Sequence, residues 1–116
     1  MRAQLSPAAL LLLAAAPAGA CTIGFIEPVL VEGRGVVEGG VVRGPGCETA
    51  LTLSVLLKEQ VPGVDRVLAR GKRTFRDGRM DLTYACRGPR DMKVYVELLD
   101  GSRRQKTPPV LIAGCG

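Results

Sequence analysis

The chain has no histidine and no tryptophan, and only two phenylalanines and two tyrosines. It has no asparagine either, and beyond residue 20 its serines are Ser54 and Ser102. Each absence closes a route. Without His, the Ser–His and Cys–His nucleophile pairs and the imidazole ligands of many metal centres are missing. Without Asn there is no acceptor for an N-linked glycan. So few aromatic rings leave no stacking platform for single-stranded nucleic acid, and they force the core to be built from Val, Leu and Ile. The carboxylates are scattered singly, several of them in turns (Asp77, Asp91, Asp100). Neither a G-x-x-x-x-G-K-[ST] loop nor a strand–G-x-G-x-x-G–helix is present. The expectation is a protein without enzymatic activity, cofactor, metal or nucleic-acid partner.

What is present begins with a leader. Arg2 is followed by an apolar run from Ala8 to Ala16 and by Ala18-Gly19-Ala20, the small-residue pattern of a signal-peptide cleavage site. The run is shorter than the roughly 20 apolar residues that span a bilayer. Residues 1–20 are therefore expected to be a signal peptide and residues 21–116 a single secreted domain with no transmembrane segment. A domain of that size has a small core. The lack of Asn, with abundant Arg, Gly and Ala, matches a GC-rich genome and points towards a bacterial source.

All four cysteines (Cys21, Cys47, Cys86 and Cys115) follow the cleavage point, and an even number in an exported chain implies disulfides. Zinc ligands usually come in close C-x₂₋₄-C pairs, and no two of these cysteines lie closer than Cys21 and Cys47. Three pairings exist. Loop entropy gives about 3.9 kcal/mol for Cys47–Cys86 and about 4.7 for Cys21–Cys115, against about 3.5 for each bridge of the sequential pattern, so it does not choose. Cys21 has a rival role as the acylated residue of a lipoprotein, because Ala18-Gly19-Ala20-Cys21 loosely matches a lipobox. That box usually has Leu where Ala18 stands, and lipidation would leave Cys115 without a partner.

Along the chain, short runs with period-two alternation are divided by turn signals. Thr22–Val31 is interrupted by Pro28, which marks an edge strand or a bend and suits a first strand divided between two sheets. Gly35–Val42 is a second run, with Gly39-Gly40 as a bulge or a turn. Cys47–Leu57 sends Cys47, Thr49, Leu51, Leu53, Val55 and Leu57 to one face, before Lys58-Glu59-Gln60 ends it in solvent. Val67–Ala69 is a short strand, and Arg70-Gly71-Lys72-Arg73 is a loop or exposed edge. Asp77-Gly78 is a hairpin-type turn into Arg79–Arg87, and Met92–Leu99 alternates cleanly. A last strand spans about 103–113, with Pro108-Pro109 holding it at a sheet edge. The tally is about seven strands and no helix, the pattern of an antiparallel two-sheet sandwich.

Within it, Asp81-Leu82-Thr83-Tyr84-Ala85-Cys86 carries a Tyr two residues before a Cys. This resembles the tyrosine corner of immunoglobulin-like domains, where that Cys bridges to an earlier strand. The resemblance, with strand parity, implies a Cys47–Cys86 staple and leaves Cys21 and Cys115 to join the termini. It implies an immunoglobulin-like sandwich, although the core Trp of that family is absent and Val67 or Leu68 would have to replace it.

The chain carries a net charge of +5. Its one concentration of charge is Arg66, Arg70, Lys72, Arg73, Arg76 and Arg79, offset by Asp65 and Asp77. The expected function is a secreted binding module that meets an extracellular protein or an anionic surface through this cluster. A plainer role for the same charges is to keep a sheet edge from pairing with other chains. The alternative function is an inhibitor or toxin-like effector presenting residues 70–79 as a loop.

Overall fold

The computed structural model describes residues 21–116. The expected signal peptide, residues 1–20, lies outside the described residues. Eight strands run in order: β1 Ile23–Val31, β2 Val36–Arg43, β3 Leu51–Glu59, β4 Arg66–Phe75, β5 Gly78–Ala85, β6 Met92–Asp100, β7 Arg103–Lys106 and β8 Val110–Ile112. All pairings are antiparallel. One sheet has the order β1-β2-β5, and the other β4-β3-β6-β7 with β8 also on β6. The fold is an all-β, two-sheet sandwich. Among the described residues no helix is long and apolar enough to cross a membrane.

Alternation makes the core. Val37 and Val41 of β2, Leu53, Val55 and Leu57 of β3, and Val94, Val96 and Leu98 of β6 are all buried between the sheets. Each such side chain contributes about 1.5–3 kcal/mol on leaving water. Phe75, Met80, Leu82 and Tyr84 fill the side where β4 faces β5. Gly71 lies under this layer, where an added Cβ would meet Met80 Cε at 2.7 Å and Leu82 Cδ2 at 3.0 Å.

The strand count exceeds the expected seven because Pro108-Pro109 divides the last strand. Proline cannot donate to a ladder. Thr107 bridges the gap: its N–H donates to Val96 O at 3.0 Å and its hydroxyl accepts from Val96 N at 3.0 Å. Both halves lie at the sheet edge, as the prolines require. β1 is likewise an edge strand, but it pairs only with β2 and does not divide between sheets. Its register slips between Ile26 and Val29, so the bulge falls at Glu27-Pro28 and not at Gly39-Gly40, and β2 is continuous.

The disulfide pairing inferred from the tyrosine corner is corrected. Cys21 bonds Cys47, and Cys86 bonds Cys115. Cys47 precedes β3 and lies in the loop from Gly44 to Ala50, so it has no strand parity to share with Cys86. Tyr84 is buried, and its hydroxyl has no hydrogen-bond partner among the described residues, so it forms no corner. The tyrosine that does make a hydroxyl bond is Tyr95 of β6, which donates to Asp65 Oδ2 at 2.5 Å. The Cys21 sulfur is in a disulfide, which leaves it no site for acylation.

A buried arginine replaces the expected staple as organiser of one end. Arg43 follows Val37 and Val41 on the inward parity of β2 and is 6% exposed. Its Nη1 donates to the carbonyls of Thr49, Phe75 and Arg76 at 3.0, 2.8 and 3.0 Å, and its Nη2 donates to Cys21 Sγ at 3.1 Å. One side chain thus fixes the loop before β3, the end of β4 and the first disulfide. Its Nε is buried without a partner among the described residues.

Candidate functional site

The six cationic residues singled out in sequence do not form one loop. β4 continues to Phe75 and β5 begins at Gly78, so residues 70–79 are two strands joined by Arg76-Asp77. The expected 70–79 loop and the Asp77-Gly78 hairpin are both corrected, because the turn joins strands of different sheets. The error has a physical source. β4 is an edge strand exposed along much of its length, and its adjacent cations Lys72 and Arg73 fall on opposite faces, so charge gives no period-two signal there.

Four of the six are engaged. Arg66 Nη2 lies 3.0 Å from Glu59 Oε1, Arg76 Nε 3.8 Å from Asp77, and Arg79 makes two hydrogen bonds to Asp81 at 2.9 and 3.1 Å. Arg73 donates to Arg79 O at 3.2 Å and stands over the Phe75 ring at 4.9 Å, closing one end of the β4–β5 seam. Arg70 and Lys72 have no carboxylate partner among the described residues.

Arg70 and Lys72 instead join residues from distant parts of the chain. Paired residues of an antiparallel ladder share a face. Lys72 pairs Ser54, which pairs Leu99, which pairs Arg104. Arg70, Leu56, Glu97 and Lys106 form the next row, and Lys58 pairs Tyr95 in the row after it. Lys93, two residues before Tyr95, lies on the same side. The outward face of the five-stranded sheet therefore carries Lys58, Arg70, Lys72, Lys93, Arg104 and Lys106. Arg70 and Lys72 stand on β4, Arg104 and Lys106 on β7, with three strand spacings, about 14 Å, between them.

The acid among these paired residues is Glu97, and it is spent. It is 5% exposed, with Lys58 Nζ at 3.1 Å and Arg104 Nε at 3.6 Å. Tyr95 is buried on this outward side because Lys58 and Lys106 stand over its ring at 5.8 and 5.5 Å. Its hydrogen bond holds the Asp65 carboxyl below its ordinary value, and burial pushes the Tyr95 hydroxyl up. Lys58, Lys93, Arg104 and Lys106 were missed in sequence because they were sought as neighbours along the chain. The signal was available in strand parity: Lys93 shares a face with Tyr95, Glu97 and Leu99, opposite Met92, Val94, Val96 and Leu98.

A second charged cluster sits where β3 ends. Glu59, expected in solvent, is 1% exposed and accepts from Arg90 Nη1 at 2.7 Å and Nη2 at 3.3 Å, with Arg66 on the same carboxylate. The Arg90 hydrogen bonds outweigh burial and hold its carboxyl below the ordinary 4.5. A depressed carboxyl stabilises the fold above its unfolded value, and that gain is lost as pH falls through the folded value. Glu59→Gln should therefore lower stability by about 1–3 kcal/mol at neutral pH, and the deficit should shrink below pH 4.5. Urea melts at pH 7 and pH 3 test this, and an equal deficit at both would show that the charge is not what counts.

Beside this cluster is a cavity of about 260 Å³ lined by Arg66, Val67, Leu68, Tyr84 and Arg87. A second, of about 240 Å³, is lined by Cys21, Ile23, Leu98, Asp100, Arg103 and Gln105. In comparison with known proteins, the chain matches no family model and no curated sequence.

Proposed function

We propose that this protein is a non-enzymatic extracellular binding module on an immunoglobulin-like sandwich, and that the outward face of its five-stranded sheet takes an anionic partner. The order β1-β2-β5 corresponds to strands A, B and E of that architecture. β3, β6 and the β7–β8 pair correspond to C, F and G, with β4 as an added strand beside C. The disulfides differ from the B–F bridge of antibody domains. Two disulfides support an oxidising, extracellular setting.

The observation that carries the reading is the register: it gathers Lys58, Arg70, Lys72, Lys93, Arg104 and Lys106 on one face whose paired acid, Glu97, is already neutralised. Such a face attracts anions at long range, with a screening length of about 30 Å at 0.01 M salt and about 8 Å at 0.15 M. The test is retention on a sulfated-polysaccharide matrix. Replacing Arg70, Lys72, Arg104 and Lys106 by Gln should move elution to markedly lower salt. A control that removes the same charge elsewhere, at Arg34, Arg76, Arg79 and Arg103, should move it much less. Equal losses in the two variants would mean that net charge alone is being read, and the face would have no special role.

A further inference from the structure

We propose that the free edge of β4 is a docking site for an extended acidic peptide, which adds as an antiparallel strand and places its C-terminal carboxylate in the Arg66–Arg87 cavity. The inference shares Arg70 and Lys72 with the outward basic face and needs none of Lys93, Arg104 and Lys106. Three separate features of the molecule converge on it: an open edge, a charge pattern and a shaped end.

Among the described residues β4 is the longest strand and ends its sheet, pairing with β3 alone. Alternate backbone N–H and C=O groups along its other side therefore have no strand partner. Such an edge is a template for a further strand, and long open edges are normally blocked. Here the blocking groups are all of one sign: Arg66, Arg70, Lys72 and Arg73, with no acid in the strand. Two copies of β4 laid against each other would oppose cations to cations, which disfavours self-pairing. The same charges favour an incoming strand that carries carboxylates.

The edge has a distinct end. Arg66, Val67 and Leu68 at the start of β4, with Tyr84 and Arg87 across the seam, line the cavity of about 260 Å³. Arg66 shares Glu59 with Arg90, so the neighbourhood of Arg66, Arg87 and Arg90 holds three guanidinium groups against one buried carboxylate. Arg87 has no carboxylate partner among the described residues, and the Tyr84 hydroxyl is likewise unpartnered. A guanidinium fork with a nearby hydroxyl suits a carboxylate, which two parallel N–H bonds can hold. Val67 and Leu68 offer apolar surface to the last side chain.

Polarity of the added strand follows from the same charges. An antiparallel strand runs opposite to β4 and so ends beside Arg66, bringing its carboxylate to the cavity. A parallel strand would begin there and bring its ammonium group to the guanidinium groups. The site is also held in place. Cys86 N donates to Gly35 O at 2.8 Å and Arg87 N to Cys115 O at 2.9 Å, so the backbone at Arg87 is tied on both sides of the Cys86–Cys115 bridge.

The probe is a fluorescent hexapeptide of alternating Glu and Val with a free C-terminus, titrated into the oxidised protein. Its C-terminal amide should bind at least tenfold more weakly. Arg87→Gln should weaken the free acid to the level of the amide, while a thermal melt checks that the variant is folded. A peptide N-methylated at alternate residues keeps the charge but cannot pair, and it should not bind. Amide exchange should slow within β4 and not within β7. Replacing Lys93, Arg104 and Lys106 by Gln should leave peptide affinity within about twofold, so failure of the basic-face reading would not mimic failure here. Equal binding of acid and amide, binding of the N-methylated peptide, self-association of the protein through β4, or no binding at millimolar peptide would each overturn the proposal.

Discussion

Replacing all four cysteines by alanine should leave the domain unfolded at 37 °C, whereas either single bridge can be lost with a folded but weakened protein. The two loops closed by Cys21–Cys47 and Cys86–Cys115 have sequence separations of 26 and 29. Loop entropy then gives about 3.5 kcal/mol for each bridge. A domain of this size holds about 5–15 kcal/mol in total, so the two together account for about half or more. Packing adds to the entropy, because Cys47 is 3% and Cys115 0% exposed and alanine leaves a void at both. Urea melts should show the double variants Cys21→Ala/Cys47→Ala and Cys86→Ala/Cys115→Ala each about 3.5 kcal/mol below the parent. Tryptic mapping without reductant checks the pairing directly. The peptide containing Cys21 should be linked to Gly44–Lys58, and Met80–Arg87 to Thr107–Gly116. A link between Gly44–Lys58 and Met80–Arg87 would restore the Cys47–Cys86 staple and overturn the structure's pairing.

That pairing also shows where sequence reasoning stopped. In β3, β5 and β6 the apolar residues alternate, and Leu53, Val55, Leu57, Leu82, Tyr84, Val94, Val96 and Leu98 are buried as the alternation requires. Parity is a local property, set by the pleat. The bridges are not local. Extending the β3 pattern back to Cys47 assumed that a strand starts at its first inward residue. Gly44-Pro45-Gly46 and the bond from Arg43 to the Thr49 carbonyl instead hold that stretch as a loop. A Tyr-x-Cys pair is then insufficient, since the Tyr84 hydroxyl has nothing to reach and Cys86 lies one residue past the end of β5.

The charged residues divide in the same way. Arg43 was legible in principle, because it continues the inward parity of Val37 and Val41 on β2. A cation closing an apolar run reads as the strand's end. The outward basic face was half legible. Arg70 and Lys72 stood out by density, but their companions Arg104 and Lys106 come from β7, brought alongside by two intervening strands. Density along the chain finds loops and tails. A sheet collects charge across the chain, and only register reveals it. Glu59 makes the converse point: placed next to Lys58 and Gln60 it looks exposed, yet it continues the inward parity of Leu53, Val55 and Leu57, where Arg90 and Arg66 meet it.

Gly40→Ala should be among the most damaging single substitutions in the protein. Gly40 lies in β2, the central strand of the three-stranded sheet, opposite Asp81 of β5. An added Cβ would collide with the carbonyl oxygen of Met80, and the Met80 carbonyl carbon and Asp81 Cα would stand at 3.0 and 3.1 Å. All three are backbone atoms of a paired strand, so no rotamer change relieves the contact. Relief requires β2 and β5 to separate, which would lift Met80, Leu82 and Tyr84 from the core. Losses above about 4 kcal/mol belong to clashes of this kind. Gly71→Ala provides the contrast, since its Cβ would meet the tips of the Met80 and Leu82 side chains at 2.7 and 3.0 Å. Methionine has three rotatable bonds and can move aside, so a cost of about 1–3 kcal/mol is expected there. Urea melts of the two variants give the ordering. If Gly40→Ala unfolds at the same urea concentration as the parent, the close approach of β2 and β5 at this point does not exist.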